Sequence, residues 1–295
     1  MAGGKLQPCK CLRLRLQVPL QYQHCHLMMS DGVKELPWGV SWVVVTGASK
    51  GLGAAICEGV AGVVAPGSVI IGVARSQHGL DNTQAMVHKA NPDVKFISIG
   101  MDLETASKEE LQKTLDKLPQ VGQSSRPTRC LLFHNAGSLG NLVYLRDLKD
   151  QDHINSYFRL NIGSVVLLNA LFIDMMLKQP DVSIDVINIS SLCAVQPFKS
   201  WGLYCAGKAS RDMLFKVLAE EEPRIRVLNY APGPLDNEMQ ETARSATGDK
   251  ELRSAFASLK DEGKLIPCNV SVNKLLNILK LHQFKSGDHV DYYDA

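Results

Sequence analysis

Tyr204 and Lys208, within YCAGK, stand four residues apart and so project from one side of a helix. A tyrosine hydroxyl titrates near pH 10, too high for efficient proton exchange at neutrality; a neighbouring ammonium favours the phenolate and lowers it. Such a pair is common on helix surfaces, and Ser191, thirteen residues before Tyr204, is what gives it weight. A serine at the mouth of a strand can hold a carbonyl oxygen that the tyrosine protonates. Ser190 takes that place if the strand is read one residue out of register. Asn161, in LNIGS, is a candidate member of a water-linked proton path to Lys208, against the plain reading of a polar contact inside a helix.

A second group of residues suits an anion. In TGASKGLG, Gly47, Gly51 and Gly53, with Ser49, Lys50 and Leu52 between them, lie after a strand and before a helix. There the chain must turn sharply and let its backbone approach a pyrophosphate, which a side chain would block. The next strand ends at Ala74 and Arg75, where a site for NAD would carry an acid for the ribose hydroxyls. Arg75 and Lys50 instead suit a 2′-phosphate, so the expected cofactor is NADP(H), with hydride coming from its nicotinamide. Asp102 and Leu103 after the third strand, and Asn135, Ala136 and Gly137 after the fourth, are the other expected cofactor contacts.

These residues need a frame that delivers strand ends to one edge. From residue 41 onward short β-branched runs alternate with longer amphipathic segments, the pattern of a doubly wound parallel α/β sheet of Rossmann type. Strands are expected at 41–46, 68–74, 94–100, 129–133, 183–190, 225–230 and 289–293. Helices are expected near 52–64, 79–90, 105–118, 152–178 and 201–222, with further helices over 236–280. At 295 residues, 45% hydrophobic and 21% charged, with a formal net charge of +2, the chain suits one globular domain. That balance offers no reason to invoke nucleic acid or an anionic membrane. Apolar stretches are broken by Pro, Gly or charge before the roughly 20 residues of a membrane helix.

Residues 1–40 read as a disordered extension ahead of a domain at 41–295. Their basic residues and lack of acids before Asp31 faintly resemble a mitochondrial presequence. Cys9, Cys11, His24, Cys25 and His26 match no structural zinc spacing, so no metal is expected. Cys57, Cys130, Cys193 and Cys205 lie in hydrophobic elements at irregular spacings, as reduced thiols of a cytoplasmic protein do.

Taken together, TGASKGLG, the NAG segment, the LNIGS asparagine, the ISS serine and YCAGK resemble the short-chain dehydrogenase/reductase family over roughly residues 41–293. The runs ISSLCAVQPFKSWGLYCAGKASRDMLF, RVLNYAPGPLD and FKSGDHVDYYDA resemble its pterin-reducing members. That resemblance implies NADPH-dependent reduction of a pterin side-chain keto group, closing tetrahydrobiopterin synthesis, in a cytosolic homodimer. It implies substrate contacts from Ser191, Tyr204, Gly233 and Asp291. It also implies a cofactor ribose contact from Lys208 and cover over the cofactor from Leu235, Asp236, Asn237, Glu238, Met239 and Gln240. A carboxylate such as Asp291 can accept both hydrogen bonds from a pterin 2-amino group and the adjacent ring N–H. The chain departs from the pattern at His134, where the family has asparagine, along 76–93, and in the extension. A broad reductase of small ketones and diketones, and a non-catalytic NADP-binding regulator, are the alternatives; an intact Ser191, Tyr204 and Lys208 set argues against the regulator.

Overall fold

Strands whose two faces are both apolar need a cover on each side. The computed structural model describes residues 38–119, 126–282 and 284–294. In it β1 (Ser41–Thr46), β2 (Val69–Ala74), β3 (Lys95–Gly100), β4 (Arg129–His134), β5 (Ser183–Ile189), β6 (Ile225–Ala231) and β7 (His289–Asp291) form one parallel sheet. Their order is β3-β2-β1-β4-β5-β6-β7, the doubly wound architecture expected.

Residues alternate between two cores, as the period of a strand requires. Val43 and Val45 of β1 join one, with Ile56 and Val60 of α1 (Gly51–Ala61), Leu80 and Val87 of α2 (Gln77–Ala90), and Val272 and Leu279 of α9 (Cys268–Leu281). Trp42 and Val44 join the other. There they meet Leu111 and Leu115 of α3 (Lys108–Leu115), Leu168, Phe172 and Met176 of α5 (Ser164–Met176), and Phe215 and Leu218 of α6 (Gly202–Glu221). The remaining helices are α4 (Gln151–Phe158), α7 (Glu238–Ala246) and α8 (Lys250–Asp261).

Strand order reverses between β1 and β4, so a crevice opens at their carboxyl ends, where ligands of such sheets bind. At the amino end the frame is pinned instead. Asp185 is buried between Arg129 at 2.7 Å and Arg226 at 2.5 Å, and the Arg129 guanidinium lies 3.9 Å from the centre of the Trp38 ring.

Some boundaries move. The segment expected as helix 105–118 is helical over Lys108–Leu115, because Ser107 and Glu110 close a capping box at its start. The tract expected as one helix over 152–178 is α4 and α5 joined by a π turn at Arg159–Gly163. By length and composition this 26-residue stretch, with mean hydropathy 1.4 in its most apolar window, is long enough to cross a bilayer. Arg159, Gly163 and Asp174 interrupt it, as expected, and its Val165, Leu168, Phe172 and Met176 stripe packs into the second core. The extension with its Cys9, Cys11, His24, Cys25 and His26 lies outside the described residues up to 37, and Cys57, Cys130, Cys193, Cys205 and Cys268 are free thiols.

Candidate active site

The turn after β1 is shaped by what surrounds it. Gly47 and Gly51 adopt positive φ, +69° and +54°. A Cβ on Gly53 would lie 2.1 Å from the Gly47 carbonyl oxygen and 2.6 Å from Asn135 Nδ2. Gly53 is therefore required by the packing of the turn on its own helix. Asn135 locks the arrangement: its Nδ2 donates to the carbonyls of Thr46 at 2.8 Å and Gly47 at 3.2 Å. The backbone N–H groups of Asn135 and Ala136 both donate to Thr46 Oγ1 at 3.0 Å. Lys50, the residue before α1, makes no side-chain cap, which leaves the helix's first N–H groups to serve an anion. A left-handed glycine turn facing an uncapped helix start fits a dinucleotide pyrophosphate.

Around that turn the expected cofactor residues divide. Arg75 follows β2 with 76% of its side chain exposed, 3.9 Å from the Asp102 carboxylate. Lys50 forms an ion pair with Glu238, so it reaches the segment expected to cover the cofactor. In that segment Asp236 pairs with Lys260 at 2.9 Å, Asn237 caps α7 and Met239 is exposed. Leu235 is buried and bridges to Ile266. The Leu103 side chain is part of the second core, and Gln240 points at α8, donating to the Phe256 carbonyl and accepting from Arg244. Ala74 is buried, and its carbonyl accepts from the Met101 N–H at 2.9 Å.

The catalytic candidates meet at the end of β5. The Ser190 hydroxyl donates to Asp212 at 2.5 Å and is buried, whereas Ser191, half-buried, lies close enough to the Tyr204 phenol to favour its ionised form. Ser191 Oγ accepts from the Cys193 N–H at 3.2 Å. Of the two serines, Ser190 is tied to Asp212 and Ser191 is the one beside the phenol. The face of α6 that carries Tyr204 packs closely, since a Cβ on Gly207 would lie 2.3 Å from the Tyr157 hydroxyl. Lys208 Nζ lies 5.6 Å from the centre of the Tyr204 ring and donates to the Ile189 carbonyl at 2.6 Å.

The electrostatics differ from the sequence reading. Burial pushes the Tyr204 phenol far above its ordinary range, helped by the Cys193 and Tyr157 groups, while the Ser191 hydrogen bond and the Arg211 guanidinium pull it back. Burial and Arg211 likewise hold Lys208 well below the usual lysine range. Arg211 is thus a cation acting on Tyr204 that sequence reasoning missed. Its own value falls to about 10 by burial. It donates from Nε to Asn188 Oδ1 at 2.8 Å, from Nη1 to the Ala136 carbonyl at 3.0 Å and from Nη2 to the His134 carbonyl. Its place seven residues after Tyr204 and three after Lys208 puts it on the same side of α6, and that spacing was the available signal, although its partners were not.

Asn161 sits in the π turn, a frequent feature of functional sites. Its Oδ1 accepts from the Ser138 N–H at 3.0 Å and its Nδ2 donates to the Tyr157 carbonyl at 2.9 Å. Gly137 abuts it, at 2.9 Å from a notional Cβ. Asn161 therefore holds the segment after β4, and the structure does not join it to Lys208 directly. His134 is fully buried, its ring 5.2 Å from that of Phe215, and burial with Arg211 pushes it down to about 3.

The remaining substrate candidates lie at the β6–β7 edge. Gly233 has φ +76°, and a Cβ there would meet Ile266 at 2.6 Å and Tyr292 at 3.4 Å. Asp291 pairs in register with Ala231, is buried and accepts from the Tyr293 N–H at 3.0 Å.

Residues 41–248 match the short chain dehydrogenase family. A sepiapterin reductase of Rattus norvegicus is 44% identical over 257 residues, 87% of this chain and 97% of the relative. Among solved structures, the KRED1-Pglu enzyme superposes with a TM-score of 0.72 at 25% identity, covering 85% of this chain and 100% of that one. A short chain dehydrogenase from Escherichia coli CFT073 complexed with NADPH superposes with a TM-score of 0.65 at 22% identity, covering 89% and 100%.

Proposed function

This chain belongs to the short-chain dehydrogenase family, and from that premise we propose that it is an NADPH-dependent reductase of the side-chain keto group of a pterin. The substrate is of the sepiapterin or 6-pyruvoyl-tetrahydropterin type, at the closing stage of tetrahydrobiopterin synthesis. The observation that carries the reading is the meeting of Ser191 with the Tyr204 phenol at the carboxyl edge of the sheet, with the buried carboxylate of Asp291 on β7 at that same edge.

When bound, the nicotinamide supplies hydride. The turn from Gly47 through Ser49 to Gly53 holds the pyrophosphate by backbone N–H groups, and Asn135, Ala136 and Gly137 line the crevice beside it. Lys50 and Arg75 meet the 2′-phosphate, which favours NADP over NAD, with Ala74 and Asp102 nearby. Lys208 binds the ribose, and Leu235 to Met239 close over the cofactor. Ser191 holds the carbonyl oxygen, Tyr204 gives its hydroxyl proton to that oxygen, and Asp291 accepts the two pterin N–H groups.

The protein works in this reading as a cytosolic homodimer. Val166 of α5 and Met213, Leu214 and Val217 of α6 are exposed apolar residues on the helices that cover one sheet face, and a second copy would cover them. Burial pushes the Cys57 thiol up and the Cys130 thiol up to about 12, as suits inert thiols in a reducing compartment.

Absorbance of NADPH with sepiapterin and with diacetyl tests the assignment. Tyr204→Phe is expected to lower kcat on both by on the order of 10²-fold with NADPH binding retained. Asp291→Ala is expected to raise KM for sepiapterin about tenfold or more while diacetyl turnover stays within about twofold. Equal losses on the two substrates would replace the pterin reductase with a broad reductase of small diketones.

A further inference from the structure

Lys208 is enclosed, and its surroundings mostly oppose a positive charge. Burial disfavours the ammonium, and the Arg211 guanidinium three residues along α6 adds like-charge repulsion. Tyr204 offers only its ring face, at 5.6 Å. Cys193 could help as a thiolate, but its hydrogen bond with Cys205 and its burial keep it a thiol. A backbone carbonyl, that of Ile189, accepts from Nζ, and a carbonyl carries no full charge.

Asp212 is different. It lies four residues after Lys208 and eight after Tyr204, on the same buried stripe of α6. Its Oδ1 accepts from Ser190 Oγ at 2.5 Å and from Asn188 Nδ2 at 3.1 Å, both of β5 or its end. Its Oδ2 meets His289 Nδ1 of β7 at 2.6 Å. From β6, Asn229 holds Asn188 in place at 2.8 Å. Arg211, although adjacent, spends its donors on Asn188, Ala136 and His134. Lys208 binds the carbonyl of Ile189 while Asp212 binds the hydroxyl of the next residue, so the end of β5 holds ammonium and carboxylate at consecutive positions.

We infer that Asp212 is a positioning residue of the reaction, the buried carboxylate that supports the Lys208 ammonium beside Tyr204. It touches neither substrate nor cofactor and acts through Lys208. This rests on the reading of Tyr204 and Lys208 given above. Without the carboxylate, Lys208 loses its proton at lower pH, and of the two cations near the phenol only Arg211 remains.

The test is kcat with saturating NADPH across about pH 6 to 9, on sepiapterin and diacetyl, for the wild type, Asp212→Asn, Asp212→Glu and Tyr204→Phe. Asp212→Asn is expected to move the alkaline limb to lower pH by about one unit, with kcat down about tenfold near pH 8 and within about threefold near pH 6. Both substrates should respond alike. Asp212→Glu, which keeps the charge, should keep the wild-type limb, and it carries the test alone if Asp212→Asn does not fold. A uniform loss across pH in Asp212→Asn, no loss, or an Asp212→Glu limb displaced by a full unit overturns the inference. Wild-type turnover by Tyr204→Phe would instead overturn the reading beneath it.

Discussion

Replacing Arg211 with methionine removes a fully buried guanidinium and keeps most of its apolar bulk. Three acceptors lose their donor: Asn188 Oδ1, the Ala136 carbonyl and the His134 carbonyl. Deleting one side of a buried, hydrogen-bonded charge network costs about 3–5 kcal/mol, and about 1–1.5 kcal/mol for each of the lost bonds gives the same range. At roughly 2–4 °C per kcal/mol for a domain of this size, the melting temperature should fall by about 10 °C. Two of the freed carbonyls belong to the strand end and turn that line the cofactor crevice, so NADPH should bind about tenfold more weakly. Loss of the cation that pulls the Tyr204 phenol down should lower kcat as well. Arg211→Lys, which keeps charge but not the planar fork, should fall between. Thermal melts and NADPH titration of the three proteins measure this. A melting temperature within about 2 °C of wild type in Arg211→Met, with unchanged NADPH affinity, would refute the account of Arg211 as the tie between α6 and the segment after β4.

Three further outcomes are expected. Lys50→Ala and Arg75→Ala should each lower the NADPH-to-NADH preference in kcat/KM by about tenfold, and a ratio unmoved in both would remove these cations from the 2′-phosphate. Because His134 is held down to about 3 in the fold, the unfolded chain takes up a proton near pH 6.5 that the folded chain refuses. Stability should therefore fall as pH drops below 6.5, by up to about 1.4 kcal/mol per unit from this group, and urea melts of His134→Asn should show a shallower decline. Val217→Asp, on the exposed apolar side of α6, should yield a monomer by light scattering, and a persistent dimer would place the contact elsewhere.

The sheet was readable because its strands are β-branched runs and its first turn is rich in glycine, signals that lie within a few residues of one another. Ser191, Tyr204 and Lys208 were readable for the same reason, since spacing along one helix and one strand end sets their meeting. Arg211, Asp212 and His289 were not, because their roles come from partners 22 to 77 residues away in sequence, and a local pattern cannot report pairing across strands. Leu103 and Gln240 illustrate the converse. Each stands at an expected position along the chain, but side-chain direction there is decided by packing, against the second core for Leu103 and against α8 for Gln240.

The π turn at Arg159–Gly163 has a geometric effect on everything beyond it. Tyr157, Asn161, Val165, Leu168, Phe172 and Met176 are buried at steps of four, four, three, four and four, and over that span a regular helix of 3.6 residues per turn would leave the last about 100° round from the first. A wider turn absorbs part of that drift, which lets an amide near the crevice and a hydrocarbon stripe under the sheet share one side of a single rod. Removing one residue there would restore regular winding with Phe172 still facing the sheet, whereas removing one from the regular part just beyond it would swing the downstream half by about 100° and turn Phe172 toward solvent. The extra residue is thus a spacer between chemistry and scaffold.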